Sequence, residues 1–295
     1  MTFFLFNVLN GIQLSMLIFL MALGLTLIFG LMDILNLAHG AFYMIGAYAG
    51  FVIFQMSDSF WLALILAPLL PAAVGFLLQY FVLQPLIDRG RSIHLDMALL
   101  TFGLLFFTIG AIDLVFFEWL GLTFLSIDKP EFLSSYVNIG TVYPTYRLFI
   151  IGLGLVTGLL VWLALERTVI GAVVRAGVDD REMVQAMGIN IKLLFALVFA
   201  AGCGLAGMAG VVAGAELSID INMGVQILIP TLVVVVLGGL GSVKGCFLGA
   251  LIVGVTETMA QAYVPDLALF AIYLLLIGML VFRPHGFFGR TPKTV

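Results

Sequence analysis

The sequence predicts an all-α, polytopic membrane protein folded as one helical bundle, and three observations predict it. Runs close to 20 apolar residues recur from one end of the chain to the other, each long enough to cross a ~30 Å hydrocarbon layer. Of the 295 residues, 63% are hydrophobic and 9% are charged. A soluble core could bury a few such runs, but not this many. The runs are continuous rather than alternating, which excludes a β-barrel, whose strands repeat with a period of two.

Taken in order, the runs give membrane segments near residues 11–30, 38–56, 60–84, 98–117, 147–165, 193–216, 225–240, 245–263 and 267–282. No Lys or Arg precedes Arg89, so the first run lacks the basic flank of a secretory signal and is expected to stay in the mature protein. Only a few residues around Met32–Leu37 separate the first two segments. The seventh is short and ends in the turn Gly238-Gly239-Leu240-Gly241-Ser242. It reads as a half-helix, tolerated at membrane depth where protein or a water-filled cavity covers the freed backbone. The bundle therefore has eight or nine membrane segments, with at least one broken or half-helix.

Basic residues orient the chain. If the hydrophilic loop Glu166–Lys192 is cytoplasmic, Arg89, Arg91, Lys244, Arg283, Arg290 and Lys293 fall on the same side. Ten of the twelve basic residues then face inward, leaving Lys129 and Arg147 outside. This follows the positive-inside rule and places the N-terminus outside and the C-terminus inside. The longest external loop, Glu118–Tyr146, carries Glu118, Asp128 and Glu131.

Four basic residues, Arg167, Arg175, Arg181 and Lys192, lie in that one internal loop. Its inner part reads as a short capped helix. Asp179 can serve as N-cap, Glu182 stands three residues on in a capping-box arrangement, and Gly188 suits a left-handed C-terminal position. Met183, Val184 and Met187 are grouped as its apolar face. A small Met-rich helix of this kind fits a groove on another protein; a solvated loop is the plainer alternative.

Other motifs exclude chemistry. Gly202-Cys203-Gly204-Leu205-Ala206-Gly207 has dinucleotide-loop spacing but sits inside an apolar run, with no preceding strand. Gly202, Ala206, Gly210 and Gly214 recur every four residues, and Gly241, Gly245 and Gly249 repeat the device; both read as helix-packing seams. Lys244 lies between Val243 and Gly245 rather than in the Gly-Lys-Ser/Thr of a phosphate loop, so the chain cannot bind ATP by that route, and any ATP energy would have to enter through another subunit. Cys203 and Cys246 offer no disulfide framework or zinc site, and His39 has no second ligand at metal spacing. No nucleophilic triad or paired catalytic carboxylate is present, so the chain does not read as an enzyme, and no cofactor, metal or nucleic acid is expected. Glu257, deepest of the carboxylates, is either an ion-coupling group or a structural acid bonded to Thr256, Thr258 or a neighbouring helix; Asp33, Asp113 and Glu216 sit nearer segment ends.

The run from Leu31 to Tyr48, LMDILNLAHGAFYMIGAY, resembles the signature N-x-A-H-G-x-x-Y-M-x-G-A-Y of the inner-membrane permeases of branched-chain amino acid ABC importers, in their LivH-like branch. Arg175-Ala176, Asp179 or Asp180, Glu182 and Ala186 through Asn190 resemble that family's coupling segment. Gly238 through Ser242 and the tail Arg283-Pro284-His285-Gly286-Phe287-Phe288-Gly289 match as well, in order, so the likeness spans nearly the whole chain. Ala41 departs from the family, where Glu or another polar residue is frequent.

The resemblance implies a single transmembrane domain over residues 1–295 with a cytoplasmic coupling loop at 166–192. It implies half of a translocation pathway in the bacterial inner membrane, completed by a homologous second permease. Two cytoplasmic ATP-binding subunits and a periplasmic solute-binding protein complete the set, with membrane lipid around it. The coupling helix would use Arg175, Ala176, Asp179, Asp180, Glu182, Met183, Val184, Met187 and Gly188. Asn36, His39, Tyr43, Gly238, Gly239, Gly241 and Ser242, at helix interruptions, are the positions for a pathway, a polar hinge being the alternative for each. A permease for urea or short amides shares these motifs. A secondary carrier using Glu257 or Asp113 is the alternative from a different class.

Overall fold

The computed structural model describes residues 2–32, 36–88, 93–122, 125–138, 140–283 and 286–288. The expectations for Asp33, Arg89, Arg91, Pro284, His285, Gly289, Arg290 and Lys293 lie outside the described residues.

Helix α1 (Thr2–Met32) contains no proline and no charge, and it is apolar on every side. A helix hydrophobic all round belongs in an interior; Met16 through Leu23 are each no more than 1% exposed. Next come α2 (His39–Ser57) and a third span broken at Pro68, built from α3 (Phe60–Leu66), α4 (Leu69–Leu78), a π turn (Gln79–Leu83) and α5 (Gln84–Asp88). Helix α6 (Ile93–Ile112) runs into a second π turn, Asp113–Trp119. The loop that follows carries a hairpin, β1 (Tyr136–Asn138) and β2 (Val142–Pro144), with Val137 opposite Tyr143. The rest is α7 (Thr145–Arg167), α8 (Val169–Asp179), α9 (Arg181–Ala186), α10 (Ile191–Leu217), α11 (Met223–Gly238), α12 (Val243–Tyr263) and α13 (Pro265–Phe282).

Among the described residues, seven helical spans are long and apolar enough to cross a membrane, and two shorter apolar helices, Met223–Gly238 and Phe270–Phe282, join them. The protein is thus an all-α polytopic membrane protein, and α11 is the short element anticipated at the seventh run.

The chain contains two halves running oppositely, α1 to α6 and α10 to α13, and each opens with a helix packed antiparallel on a helix of the other. In the first, α1 lies antiparallel to α12: a β-carbon added at Gly11 would stand 2.9 Å from the Val255 Cα, and the Ser15 hydroxyl donates to the Leu251 carbonyl at 3.4 Å. In the second, α10 lies antiparallel to α4: a β-carbon at Gly75 would meet the Cys203 Cβ at 2.8 Å, and one at Gly204 the Ala72 Cβ at 3.4 Å. Helices α1 and α10 cross at the centre, where a β-carbon on Gly202 would stand 2.8 Å from the Gly24 carbonyl oxygen. Gly202 and Gly210 do form a packing seam, the first against α1 and the second against the backbone of Tyr43 in α2. Gly245 and Gly249 pack α12 on α11. Small residues matter here because lipid tails give apolar helices no hydrophobic reason to associate, so close backbone approach must supply the contact.

Charged groups collect at the two ends of the bundle. At the end where α1 begins, Glu216 accepts from Lys129 at 2.7 Å and from Arg147 at 2.7 Å, and Arg147 also donates to the Asn10 side chain at 2.7 Å. The same end holds the backbone bridge between Leu125 and Ile219. At the opposite end, with α8 and α9, Lys192 meets Asp88 at 2.6 Å, and a β-carbon on Gly30 would stand 2.9 Å from the Gly241 Cα. The basic residues that the sequence set apart, Lys129 and Arg147, thus share one end and one acidic partner.

Candidate functional site

Helix α2 does not begin at the end of the bundle. His39 Nε2 lies 3.1 Å from the Met21 carbonyl, eleven residues before the end of α1, or about 16 Å back along it at 1.5 Å per residue. His39, wholly buried, therefore lies deep in the bundle. After α1 the chain folds back beside it: Asn36 and Ala38 are each 1% exposed, and the Leu37 amide donates to Thr101 Oγ1 of α6 at 3.1 Å. Thr101 in turn donates to the Met97 carbonyl at 2.8 Å, so both its bonding roles are used.

The second half repeats the manoeuvre. Past α10, Ser218 takes φ 78°, Ile219 packs back against Gly214, and α11 starts against α2. A β-carbon on Gly224 would stand 2.6 Å from the Gly40 carbonyl oxygen and against the sulfur of Met44. Two helix N-termini therefore meet inside the bundle, each bringing the positive end of a helix dipole.

Unpartnered polar atoms gather around this meeting. A carbonyl only accepts, so His39 Nε2 carries its hydrogen toward Met21, and His39 Nδ1 has no partner. Asn36 accepts from the Ala38 amide at 3.1 Å through Oδ1, while its Nδ2 has none. The Tyr48 hydroxyl, on the next turns of α2, is also buried and unpaired. Tyr43 is 2% exposed, and Asp220 lies within electrostatic reach of Tyr43 and Tyr48. An orphaned buried polar group costs about 1–3 kcal/mol.

The Gly238–Ser242 turn is elsewhere. It sits at the opposite end of α11, where Gly239 (φ 91°) and Gly241 (φ 79°) adopt left-handed conformations that need glycine. The Phe287 amide donates to the Leu237 carbonyl at 2.9 Å and the Phe288 amide to that of Gly238 at 3.1 Å, pinning the tail to the turn. The Ser242 hydroxyl accepts from the Gly245 amide at 3.1 Å and caps α12. Asn36, His39 and Tyr43 thus form one group; Gly238, Gly239, Gly241 and Ser242 form another. Glu257, on the α1-start side of the middle of α12, accepts from Gln261 at 3.3 Å rather than from Thr256 or Thr258, and its second oxygen is buried without a partner.

In the hydrophilic loop the cap falls one residue later than the sequence suggested. The Asp180 side chain accepts from the Met183 amide at 2.9 Å, Asp179 closes α8, and Glu182 at the second helical position cannot complete a capping box. Gly188 is left-handed at φ 82°, as expected. Adjacent residues on a helix point about 100° apart, which separates the three apolar side chains: Met183 and Met187 are 63% and 64% exposed, whereas Val184 is 1% exposed in the core. Arg181 stacks 5.0 Å from the Phe195 ring, and a β-carbon on Gly177 would stand 2.9 Å from Ile191, so α8 and α9 are both fastened to the start of α10. Arg175 donates to the Leu165 carbonyl, and Ala176 accepts from the Asp180 amide at 2.9 Å.

Sequence reasoning missed Thr101, Tyr48, Asp220 and Met21 as neighbours of the helix starts. A lone Asp in the run Leu217-Ser218-Ile219-Asp220-Ile221-Asn222, between two apolar helices, was the available signal.

A membrane bundle of two oppositely running halves, with broken helices meeting in its interior, has the build of a permease. The chain belongs to the family of branched-chain amino acid transport system permease components, which matches residues 7–280. It is 29% identical to the high-affinity branched-chain amino acid transport system permease protein LivH of Salmonella typhimurium, over 98% of this chain and 96% of the relative. It is 30% identical to BraD of Pseudomonas aeruginosa, described in the same words, over 95% and 94%. It is 26% identical to LivM of Escherichia coli, over 94% of this chain and 69% of that protein. No solved structure matches the chain.

Proposed function

We propose that this permease imports branched-chain amino acids, or close relatives of them, as one half of an ABC importer whose other half is a second, homologous permease. The family match carries the substrate class. The similarity to both LivH and LivM supports a pair of permeases in one pathway.

In this reading residues 1–295 form one transmembrane domain in the bacterial inner membrane, with loop 166–192 and the C-terminus in the cytoplasm and the Glu216 cluster outside. Met183 and Met187 enter a groove on a cytoplasmic ATP-binding subunit, while Asp180, Glu182 and Arg175 set the register of the α8–α9 pair. Helix α10 carries the motion. It is an unbroken rod of 27 residues, about 40 Å long, fastened to α9 at one end and passing at the other into the Ser218–Asn222 break. Closure of the ATP-binding pair shifts α10, and the break repositions the start of α11 against that of α2.

There the pathway offers what a zwitterionic amino acid requires. Two helix N-termini attract its carboxylate, and Asn36, His39 and Tyr48 have bonding capacity to spare. ATP hydrolysis belongs to the partner subunits, and a periplasmic binding protein delivers the solute.

Reconstitution tests this. Proteoliposomes containing both permeases and both ATP-binding subunits, supplied with the binding protein, should accumulate labelled leucine only with internal ATP. Uptake that persists without the ATP-binding subunits and collapses with the proton gradient would overturn the proposal and move attention to Glu257.

A further inference from the structure

At the α8 end of the bundle a cavity of about 330 Å³ lies between α1, α7, α8 and the start of α12. Lys244, Arg175, Glu166 and Trp162 line it. Arg175 is engaged: it donates to the Leu165 carbonyl and stands 3.9 Å from Glu166. Lys244 makes no ion pair among the described residues and is held over the Trp162 ring, 5.4 Å from its centroid. The Trp162 indole N–H is enclosed and has no acceptor. One unpaired cation thus faces a space whose charges otherwise nearly cancel, while the enclosed indole N–H stays out of reach of a ligand there. The group that complements Lys244 is an anion.

A second hollow of about 390 Å³ adjoins it and shares Trp162, Val243, Lys244 and Phe288. Its remaining wall is apolar: Phe19, Leu155, Gly158, Leu159, Phe247 and Leu248. From Trp162 to Leu155 it follows α7 for seven residues, about 10 Å toward the bundle centre. Gly158 leaves the floor low, with a β-carbon there landing on the Phe19 ring.

We propose that the two hollows hold one anionic phospholipid, its phosphate on Lys244 and one acyl chain in the groove between α7 and α12. A basic pocket at the membrane surface that opens into an apolar furrow recognises both parts of such a molecule at once. A soluble phosphate would use the first hollow alone, which makes the furrow the feature that commits the site to a lipid.

Native mass spectrometry of the full chain, purified with its partner subunits in mild detergent, tests the assignment. Dioleoyl phosphatidylglycerol is titrated against dioleoyl phosphatidylcholine, which has the same chains and no net charge. The wild type should retain the anionic lipid preferentially, and Lys244→Gln should lower that preference about fivefold, the worth of one cation at a charged surface. Lys244→Arg should preserve it. Leu159→Trp, which fills the furrow, should weaken retention with Lys244 intact, and inorganic phosphate should fail to displace the lipid. Equal retention of the two lipids, an unchanged preference in K244Q, or displacement by phosphate alone would overturn the proposal. Lys244 is exposed, so K244Q perturbs no core contact.

Discussion

Gly40 and Gly224 face each other so closely that a β-carbon on Gly224 would stand 2.6 Å from the Gly40 carbonyl oxygen. The opposing atom is backbone, so no rotamer change relieves the misfit. We predict that Gly40→Ala or Gly224→Ala costs about 1–3 kcal/mol, as overpacking does in a dense core. The loss should appear as a lower Tm in detergent, with uptake cut in parallel. Wild-type Tm and uptake in both variants would mean that the two helix starts do not meet.

Tyr48→Phe separates pathway from scaffold. Its hydroxyl is buried and unpaired, so removing it should leave stability unchanged or raise it by up to about 1 kcal/mol. If the hydroxyl serves the solute, the KM for uptake rises severalfold at an unaltered Tm. An unchanged KM removes Tyr48 from the pathway.

The loop offers a contrast between neighbours. Met183→Asp and Met187→Asp alter exposed side chains and should leave the Tm intact while uncoupling ATP hydrolysis from uptake. Val184→Asp places a carboxylate in the core, costs several kcal/mol, and should deplete folded protein. Normal coupled uptake in both Met variants would sink the docking assignment.

How much of this was legible in the sequence follows from what sequence encodes. Apolar runs fix where helices lie, so the nine apolar segments, the short α11 among them, could be read directly. They do not fix where in the membrane a helix begins. The retreat of α2 to the level of Met21 depends on a bond from Leu37 to Thr101, 64 residues away, and on glycines that permit close approach. The inward turn of Val184 was hidden for a related reason: in a six-residue helix the core face is set by α10 alongside it, not by the pattern within it.

Glu216 should behave as a clasp. Its side chain is 6% exposed and serves both Lys129 and Arg147. Glu216→Gln leaves two partly buried cations without a counter-charge, at a cost of about 3 kcal/mol, the low end for breaking such a group. Proteolysis of the 118–144 loop in outward-facing vesicles should accelerate several-fold; an unchanged rate would mean the loop is held by other contacts.

Ser218 adopts φ 78°, which is strained for any residue with a side chain. Ser218→Gly should therefore stabilise the protein by about 1 kcal/mol, seen as a raised Tm. A fall in Tm would show that the serine side chain contributes more than the backbone conformation costs.

The inverted pairing of halves explains the presence of α7. The first four spans, α1, α2, the α3–α5 span and α6, are even in number and return the chain to the side from which it started. For α10 to run opposite to α1, its half must be launched from the other face, and a single extra crossing achieves that. Helix α7 is that crossing, a parity switch between two copies of one design. Removing it would leave every local helix signal intact and turn the second half upside down. The Gly40–Gly224 meeting and the Glu216 clasp would then vanish together.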